Sequence, residues 1–559
     1  MKRKLALALA IILVFTACSC GKEQKSKNTS PITLTVFSQV ANYTGKQVGW
    51  FADVMLERFN VILNIIPDTA GTYETRFASE SFGDLVIFGN NGNEYKNAAK
   101  AGLLLDWEKD DLLTTYGPYI KENMDAAIEA NRKLTDNGHV YGIGNNVAGE
   151  DDGVSDFFYT WDLRWDLYER LGCPEIIDLD DMVKLFEDMK ELEPKDEKGN
   201  SAYALSIWPD WDGSMMMYAK ALASAYYGFD ELELGLYDAS TGEFHGALEK
   251  DGPYIEMLSF LNKLYRKNLL DPDSMTQTYV EMAEKMINGG CYFSLFDYAG
   301  GNYFNNESHL KENKIMLPML PKNAAPAAYE LSKYGGQQIW SIGSSTKYPE
   351  LCMEIINWLC TPEGFMTMEY GKQGINWDYD DNGYPFLTEI GLKCMTDGSN
   401  PETKDEAGYT FKQGQCQINN TTWARDALNP DSNGATYNWN TWEEDKAPAR
   451  TASEAHWRSF NGVTSVTDYL ESKKYTLIPA STFSNLAKDD EYDIIIAQVS
   501  QCIVNYSWNA VYSDTEEEFE KNISEMIERG NAYGYGTCLE WSIRNAAARH
   551  RVEVSEKTE

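Results

Sequence analysis

The segment "ITLTVFSQ" (residues 32–39) alternates apolar and polar side chains, which is the pattern of a β-strand with one buried face. "VGWFADVMLERFNVILNII" (48–66) predicts a helix followed by a second strand, and "GDLVIFGN" (83–90) predicts a third strand. A strand–helix–strand alternation is typical of an α/β lobe with a largely parallel sheet. The sequence therefore predicts the α/β fold class for the first part of the chain.

A second unit of the same kind begins near residue 139. "LDDMVKLFEDMKEL" (179–192) has helical periodicity, "SAYALSIW" (201–208) has the pattern of a strand, and "CYFSLFDYAG" (291–300) predicts a buried strand with an aromatic and acidic end. A chain of 559 residues also exceeds the usual size of one domain. We therefore expect at least two lobes.

The N-terminus has the features of an export signal. Lys2, Arg3 and Lys4 precede an apolar run over 5–17, which is too short to span a bilayer. The run ends in "FTACSCG" (15–21), which resembles a bacterial lipobox. We expect a signal peptide over 1–17, lipidation such as palmitate at Cys18 rather than Cys20, and a flexible tether over 18–31. A plain secretory signal is the alternative.

The composition restricts the partners of the chain. Eighty-six acidic residues against 49 basic ones give a net charge of −37, which disfavours nucleic acid and anionic lipid. The ten cysteines show no CxxC pair after the signal, so we expect small buried side chains or one or two disulfides, and no zinc site. Aromatic residues make up 13% of the chain, which favours some exposed aromatic surface.

Four segments resemble one family in sequence and in order. They are "YTWDLRWDLYERLGCPEIIDLDDMVKLFEDMKELEP" (159–194), "LNKLYRKNLLDPD" (261–273), "MINGGCYFS" (286–294) and "INWLCTPEGFMTMEYGKQGINWDYDDNGYP" (356–385). The chain resembles the family 1 extracellular solute-binding proteins of carbohydrate ABC importers, and in particular the long lipoprotein subgroup of Gram-positive bacteria. The order Trp165-Asp166 is reversed relative to that family, and 400–460 has no counterpart in it.

The resemblance implies a two-lobed, type II periplasmic-binding-protein-like fold, with discontinuous lobes joined by a hinge. The expected N-lobe comprises 32–142 and 292–345, and the expected C-lobe comprises 143–291 and 346–559 with a C-terminal helical extension. The implied protein is a monomer outside the cell, attached to the membrane by its lipid alone. It captures an oligosaccharide between its lobes and delivers it to ABC transporter permease subunits.

The loop "SIWPDWDG" (206–213) is the leading candidate for sugar contact. A pyranose presents an apolar face that packs on an indole, while its hydroxyls need polar partners. Trp208 and Trp211 provide indoles, and Asp210 and Asp212 provide acceptors. Trp211 is the more favoured indole, because Trp208 adjoins the predicted strand. The alternative is that both indoles cover a hydrophobic lobe surface.

Further candidates follow predicted strands, because ligands bind α/β sheets at the carboxyl ends of their strands. Amide side chains both donate and accept hydrogen bonds, as sugar hydroxyls require, although ordinary turn chemistry explains them equally well. Two roles are open for the later tryptophans Trp423, Trp439 and Trp442, which either extend the cleft or cover a loop. Arg164 either forms a structural ion pair or contacts the ligand. The strand-end candidates are Asn42, Tyr43, Asn90, Asn91, Asn146, Asp297, Tyr298, Gln338, Trp340 and Trp377.

The segment "DYDDNGYPFLTE" (378–389) matches the calcium-loop pattern of an EF-hand. However, Pro385 lacks the N–H that such a loop donates, no amphipathic helix precedes the segment, and Asp-Asn-Gly is a good hairpin turn. We therefore expect a hairpin and no metal or cofactor, with calcium as the alternative.

No nucleophile, zinc-protease or phosphate-loop motif is present, so we expect a binding protein rather than an enzyme. Two alternatives remain, namely a cell-surface glycan-degrading enzyme with two carboxylates and a glycan-binding protein that takes no part in import. The acidic surface favours a neutral or amino-sugar glycan over a uronate.

Overall fold

The computed structural model describes residues 30–69, 71–149, 152–155, 159–209, 214–396, 398–442 and 448–557, apart from the side chain of residue 490. It is a mixed α/β protein, as the sequence predicts. The strands are β1 Ile32–Ser38, β2 Gly45–Lys46, β3 Val61–Pro67, β4 Leu85–Phe88, β5 Gly142–Gly144, β6 Asp162–Arg164, β7 Asp230–Leu232, β8 Gly235–Tyr237, β9 Phe244–Gly246, β10 Phe293–Ser294, β11 Met316–Pro318, β12 Ala327–Tyr329, β13 Ile339–Ile342, β14 Trp377–Tyr379, β15 Pro385–Leu387 and β16 Thr476–Ile478.

The helices are distributed along the whole described chain. They are α1 Gly49–Phe59, α2 Thr72–Ala78, α3 Asn93–Lys100, α4 Leu112–Tyr116, α5 Pro118–Asn123, α6 Asp125–Leu134, α7 Trp165–Arg170, α8 Leu179–Leu192, α9 Ser214–Tyr227, α10 Pro253–Arg266, α11 Tyr279–Ile287, α12 Gly301–Phe304, α13 Glu307–Lys311, α14 Pro349–Cys360, α15 Pro362–Tyr370, α16 Glu389–Thr396, α17 Phe411–Gly414, α18 Ala452–Asn461, α19 Val466–Glu471, α20 Asp490–Val511, α21 Glu516–Ala532 and α22 Tyr535–Glu556. Short 3₁₀ turns lie at Lys109–Asp111, Pro272–Met275, Asp297–Ala299, Pro401–Thr403 and Trp439–Thr441.

The first sheet has the order β2-β3-β1-β4-β13-β5. β1 pairs in parallel with β3 and β4, whereas β13 runs antiparallel to both β4 and β5. Successive residues of a strand point to opposite faces. Leu34 and Val36 therefore enter one buried cluster, while Phe37 enters another with the side chains of α3. Both faces of this sheet are covered, as in other α/β lobes.

Two large hydrophobic clusters make up most of the interior. The first core is formed by buried side chains between Leu34 and Ala148 and between Trp340 and Trp442. The second core is formed by those between Tyr159 and Ala328 and between Trp457 and Trp541. The core changes between Ala148 and Tyr159, between Ala328 and Trp340, and between Trp442 and Trp457. Three such crossings fit a discontinuous arrangement of two cores.

The cores depart from the expected lobe boundaries at two places. Residues expected at 292–328 in the N-lobe belong to the second core, because β10 and β11 pair on either side of β6. Residues expected at 352–442 in the C-lobe belong to the first core. There α14 places Asn357, whose Oδ1 accepts hydrogen bonds from the backbone N–H groups of Tyr119 and Ile120 at 2.9 and 3.2 Å.

The C-terminal helices α20, α21 and α22 pack on the second core. The side chain of Asn262 in α10 donates to the carbonyl groups of Val511 and Ser513 at 3.0 and 2.8 Å. The hydroxyls of Tyr254 and Ser507 lie 2.8 Å apart in the same buried interface. These bonds satisfy the polar ends of α20 where it meets α10, so the extension is an integral part of this core. Within the described residues, no helix is long and apolar enough to cross a membrane.

Candidate functional site

A cavity of about 910 Å³ lies where the two cores meet. Side chains from the first core reach it from β15, α16 and the turn after Asn438, while β6, β11, α12, α18 and α19 supply the other wall. A volume of this size is in the usual range for ligand sites. The lining residues are Thr160, Asp162, Asp297, Gly301, Asn302, Asn305, Met316, Leu317, Pro318, Phe386, Leu387, Leu392, Trp439, Asn440, Thr441, Trp442, Pro448, Arg450, Glu454, Trp457, Arg458, Ser465, Val466, Thr467 and Leu470.

Two carboxyl groups form the acidic corner of the cavity. Asp162 is the first residue of β6 and is 1% exposed, whereas Asp297 follows β10 and is exposed within the recess. Both approach Gly301: a Cβ atom there would lie 2.7 Å from Oδ1 of Asp297 and 2.9 Å from Oδ2 of Asp162. The backbone N–H of Gly301 donates to Oδ2 of Asp162 at 3.0 Å. The glycine therefore lets the backbone approach both carboxyl groups.

Burial dominates the ionisation of this pair. It raises the pKa of Asp162 well above the usual range, and the neighbouring charge of Asp297 raises the pKa further. Burial also raises the pKa of Asp297, although Asp162, Arg450 and Asn302 each oppose that rise. At least one proton is therefore held at this corner at a higher pH than an ordinary aspartate would hold it.

A second charged group lies on α18. Glu454 is buried, and its two oxygens accept hydrogen bonds from Nε of Arg450 and Nη2 of Arg458, each at 2.9 Å. Although burial opposes ionisation, Arg450 and Arg458 hold the pKa of Glu454 below its usual value. The same helix positions Trp457, whose Nε1 donates to the carbonyl oxygen of Pro318 at 3.0 Å. These hydrogen bonds and ion pairs hold the side chains of α18 in place on the cavity wall.

The opposite wall is largely apolar. Trp439 is half-buried and packs against the first core, while Leu392 of α16 is 49% exposed. The turn that carries Trp439 is held by Asn438, whose Oδ1 accepts from the N–H of Asn440 at 3.1 Å. The indole nitrogen of Trp442 donates to the carbonyl oxygen of Thr436 at 2.8 Å. The lining of the cavity thus combines an indole and aliphatic side chains with carboxylates and amides.

Six of the ten predicted strand-end residues lie at one edge of the first sheet, namely Asn42, Tyr43, Asn90, Asn91, Asn146 and Gln338. Ile339 pairs with both Phe88 and Gly144, so Gln338 lies beside the ends of β4 and β5. Its Oε1 accepts from Nδ2 of Asn145 at 3.2 Å.

The other amides of this group surround that edge. Asn42, Asn90 and Asn146 are exposed, and Tyr43 and Asn91 are half-buried. Oδ1 of Asn90 accepts from the N–H of Gly92, as in a turn.

The edge lies outside the lining of the cavity. Of the predicted ligand residues that the structure describes, Asp297 alone lines the cavity. Tyr298 instead stacks on Phe296, with ring centroids 5.0 Å apart. Ligand contact by the residues at this edge stays a prediction.

Trp208 lies in the second core, with 2% of its surface exposed. Its ring contacts Tyr279 and Tyr218, with centroids 5.0 and 5.6 Å away. The hydroxyl of Tyr218 also donates to the backbone carbonyl of Trp208 at 2.6 Å. In this conformation the indole has no face free for a sugar, because core side chains pack around it; the segment before it forms isolated bridges, such as Leu205 with Leu270, and not the predicted strand. Trp211, Asp210 and Asp212 lie outside the described residues.

Trp340 and Trp377 also have their indoles inside the first core, both at 0% exposure. Their Nε1 atoms donate to the backbone carbonyl groups of Thr421 and Gly371 at 2.7 and 2.8 Å. Trp340 is in β13, which is covered on both faces, and Trp377 begins the hairpin of β14. Both rings therefore serve packing in this structure, contrary to the expectation that they line a cleft.

Sequence reasoning missed Asp162, and it left Trp439 between two roles. Asp162 stands inside "YTWDLRW" (159–165), where an acidic residue lies between aromatic and aliphatic ones. That anomaly is the available signal, because a buried carboxylate needs a specific partner. Arg164, from the same segment, is 0% exposed on its side chain and its guanidinium pairs with Asp166 at 2.7 Å, so its role is the structural one.

The acidic segment at 378–389 forms the expected hairpin, with β14 antiparallel to β15. Oδ1 of Asp380 accepts from the N–H groups of Asn382 and Tyr384, both at 2.8 Å. The carboxylate is thus engaged by its own turn. Among the described residues, no group of three or more His, Cys, Asp or Glu side chains is arranged to hold a metal ion.

Cysteine pairing is absent from the part of the chain that the structure describes. Six of its cysteines are buried, and Cys173 and Cys416 are partly buried. Burial raises the pKa of the Cys352 thiol to about 12, which makes this side chain unreactive.

No family model matches the chain. An uncharacterized protein in the butB 5′ region of Niallia circulans is 26% identical over 141 residues, which make up 24% of this chain. The match covers 54% of that relative, so the chain spans about half the length of the curated relative it matches.

Solved structures with the same fold cover nearly the whole chain. The alginate-binding protein AlgQ2 aligns with a TM-score of 0.60 and 15% identity over 92% of this chain and 98% of its own. An HMO-binding solute-binding protein associated with an ABC transporter, from Bifidobacterium longum infantis, has a TM-score of 0.60 and 13% identity over 94% and 99%. The N-glycan transport solute-binding protein of Streptococcus pneumoniae has a TM-score of 0.54 and 14% identity over 94% and 99%.

These structural neighbours are described as proteins that bind or transport glycans, and one of them is associated with an ABC transporter. At such low identity the likeness establishes the fold alone.

Proposed function

We propose that this protein is a lipid-anchored solute-binding protein that captures an oligosaccharide outside the cell and delivers it to an ABC transporter permease. The observation that carries the proposal is the cavity between the two cores, whose lining includes the half-buried indole of Trp439 and several polar side chains. The shared fold supports it, because the neighbouring structures are described as glycan-binding or glycan-transport proteins, one of them associated with an ABC transporter.

The lining has the chemistry that a sugar requires. The apolar face of a pyranose packs on an aromatic ring, while its hydroxyls need donors and acceptors to replace water. Trp439 and Leu392 supply apolar surface, and Asp297, Asn302 and Asn440 supply polar groups that are exposed within the cavity. Because walls from both cores contact the same cavity, a ligand there stabilises the arrangement in which the cores are close together.

The membrane attachment is proposed from the N-terminal sequence. The lipobox at "FTACSCG" (15–21) supports lipidation of Cys18, and residues 22–31 supply a polar tether. Both lie wholly or almost wholly outside the described residues. Replacement of Cys18 by serine is expected to release the protein from the membrane fraction, whereas Cys20→Ser is expected to leave it attached.

A glycan-degrading enzyme is the second candidate, because Asp162 and Asp297 are paired carboxyl groups in the cavity. Glycosidases use one carboxyl as a proton donor and keep the other ionised. Here burial raises the pKa of both groups, and Asp162 is almost fully covered. This arrangement favours binding over catalysis.

The experiment is a glycan screen on a soluble form that begins at residue 30, read by thermal shift and calorimetry. Product analysis by chromatography after overnight incubation accompanies each binding glycan. We expect binding of an oligosaccharide with no turnover. Hydrolysis that is lost in Asp297→Asn would establish the enzyme instead, and binding without nearby permease genes would favour a surface glycan-binding protein.

A further inference from the structure

Two of the segments that join the cores are hydrogen-bonded to each other. The backbone N–H of Ser155 donates to the carbonyl oxygen of Tyr329 at 2.8 Å, and a second backbone bond between the segments measures 3.0 Å. These segments, 153–155 and 329–331, are named the connecting pair. Because a hinge between domains lies in a few residues of such segments, the attachment of the connecting pair to each core determines how the cores are placed.

Both segments are attached to the second core through a tyrosine hydroxyl. The hydroxyl of Tyr329 donates to Oδ1 of Asp230 at 2.8 Å, and the hydroxyl of Tyr159, which follows Ser155 along the chain, donates to Oε1 of Glu231. Asp230 and Glu231 are adjacent residues of β7. One short strand therefore holds both segments where they enter the second core.

Each of these carboxylates is paired with a cation from a helix. Nη1 of Arg549 in α22 lies 2.7 Å from Oδ2 of Asp230, and Nζ of Lys220 in α9 lies 2.7 Å from Oε2 of Glu231. The side chains of Arg549 and Asp230 are only 18% and 13% exposed. Each carboxylate thus uses one oxygen for a tyrosine and the other for a cation, which fixes its orientation.

Arg549 is itself held within the C-terminal helix. Its Nε donates to Oε1 of Glu553 at 2.6 Å, and Oε2 of Glu553 accepts from the hydroxyl of Tyr237 at 2.6 Å. The side chain of Glu553 is 1% exposed. Buried ion pairs contribute little net stability relative to apolar residues, and an attested use of them is to specify one arrangement of the elements that they join. The elements joined here are α22, β7 and the connecting pair.

We propose that Arg549 is a positioning residue for ligand capture: through Asp230 it holds Tyr329, and it thereby fixes the attachment of the connecting pair to the second core. The inference deepens the proposed function and rests on it. None of these tyrosines, carboxylates and cations lines the cavity, so their effect on a ligand passes through the placement of the cores. When the attachment is loosened, the unliganded protein has more orientations in which one cavity wall is out of reach, and the fraction that is competent to bind falls.

The test uses two variants and a matched control in the soluble form that begins at residue 30. Arg549→Met removes the cation and keeps an aliphatic side chain, whereas Tyr329→Phe removes a single hydroxyl and is the milder change. The control is Tyr254→Phe, which removes a buried hydroxyl that lies 2.8 Å from that of Ser507 in the same core, outside this set of bonds. Urea denaturation measures the stability of each variant.

The first measurement needs no ligand. Hydrogen exchange followed by mass spectrometry reports the opening of the backbone bonds in the connecting pair. We expect exchange there to be about tenfold faster in Tyr329→Phe and in Arg549→Met, as the loss of a hydrogen bond to a charged group provides. Tyr254→Phe should leave exchange in the connecting pair unchanged, although its stability falls. Unchanged exchange in a folded Tyr329→Phe variant would overturn the inference.

The second measurement is calorimetry with the best glycan from the screen. Kd should rise at least about threefold in Tyr329→Phe and Arg549→Met, since the apparent affinity scales with the binding-competent fraction, and it should stay the same in Tyr254→Phe. An equal rise in Tyr254→Phe would show that affinity follows stability alone, and an unchanged Kd in the folded variants would also overturn the inference. Failure of the unmodified protein to bind any glycan would instead contradict the proposed function, so the two failures are distinguishable.

Discussion

Replacing Trp439 by alanine is expected to weaken glycan binding by about 2.5 kcal/mol. An aromatic side chain buries roughly 150–250 Å² when fully covered. Because the indole is already half-buried against the first core, about 100 Å² remains for a ligand to cover. At about 25 cal/mol per Å², that area corresponds to about 2.5 kcal/mol, or a rise in Kd of tens of fold. Trp439→Phe retains a smaller face and should lose less.

Calorimetry with the best glycan from the screen measures the effect, and chemical denaturation of the same variants measures folding. The free energy of unfolding should fall far less for Trp439→Ala than for a fully buried indole. The control is Trp377→Ala, whose ring is wholly inside the same core. An unchanged Kd for Trp439→Ala, or a loss of affinity matched by an equal loss of stability, would refute the assignment of this indole to the ligand.

Three further predictions concern stability. Trp208→Ala should lower the free energy of unfolding by about 3–5 kcal/mol in urea denaturation, because it removes a fully buried indole. A variant that keeps its stability but loses glycan binding would contradict the assignment of Trp208 to the core. Arg164→Leu should lower the free energy of unfolding by about 3–5 kcal/mol, because Asp166 and Glu193 lose a guanidinium that is 0% exposed. The double variant Arg164→Leu/Asp166→Leu should recover part of that free energy. A larger loss of stability in the double variant would argue against the buried ion pair. The folded protein binds more protons at Asp162 and Asp297 than the unfolded chain does, so their contribution to stability should fall as the pH rises above about 4, the ordinary aspartate pKa. The double variant Asp162→Asn/Asp297→Asn should show a weaker decline between pH 4 and 7, and an unchanged decline would exclude these groups as its source.

The fold could be predicted from the sequence because its signals are local. The alternation in β1 and the apolar run of β4 specify buried strands, and the resemblance of 356–385 to solute-binding proteins indicates the whole architecture. The lobe boundaries could not be predicted in the same way. They depend on which strands pair, and β10 and β11 pair with β6 although more than 120 residues separate them along the chain.

The site was harder to predict, because the sequence does not distinguish a tryptophan that packs in a core from one that lines a cleft. Trp340 and Trp377 satisfy their indole nitrogens with backbone carbonyl groups inside the first core, whereas Trp439 stands on a short turn at the boundary between cores. Only the tertiary arrangement distinguishes them. Asp297 lines the cavity and was a candidate because it follows a buried strand, whereas Asp162 begins one and was not considered.

The most direct test of the account is a crystal structure of residues 30–559 with the best-binding oligosaccharide from the glycan screen. The account predicts a sugar ring against the indole of Trp439, with polar contacts from Asp297 on the opposite wall of the cavity. A glycan bound instead at the edge of the first sheet, near Asn90 and Gln338 and away from this cavity, would contradict it.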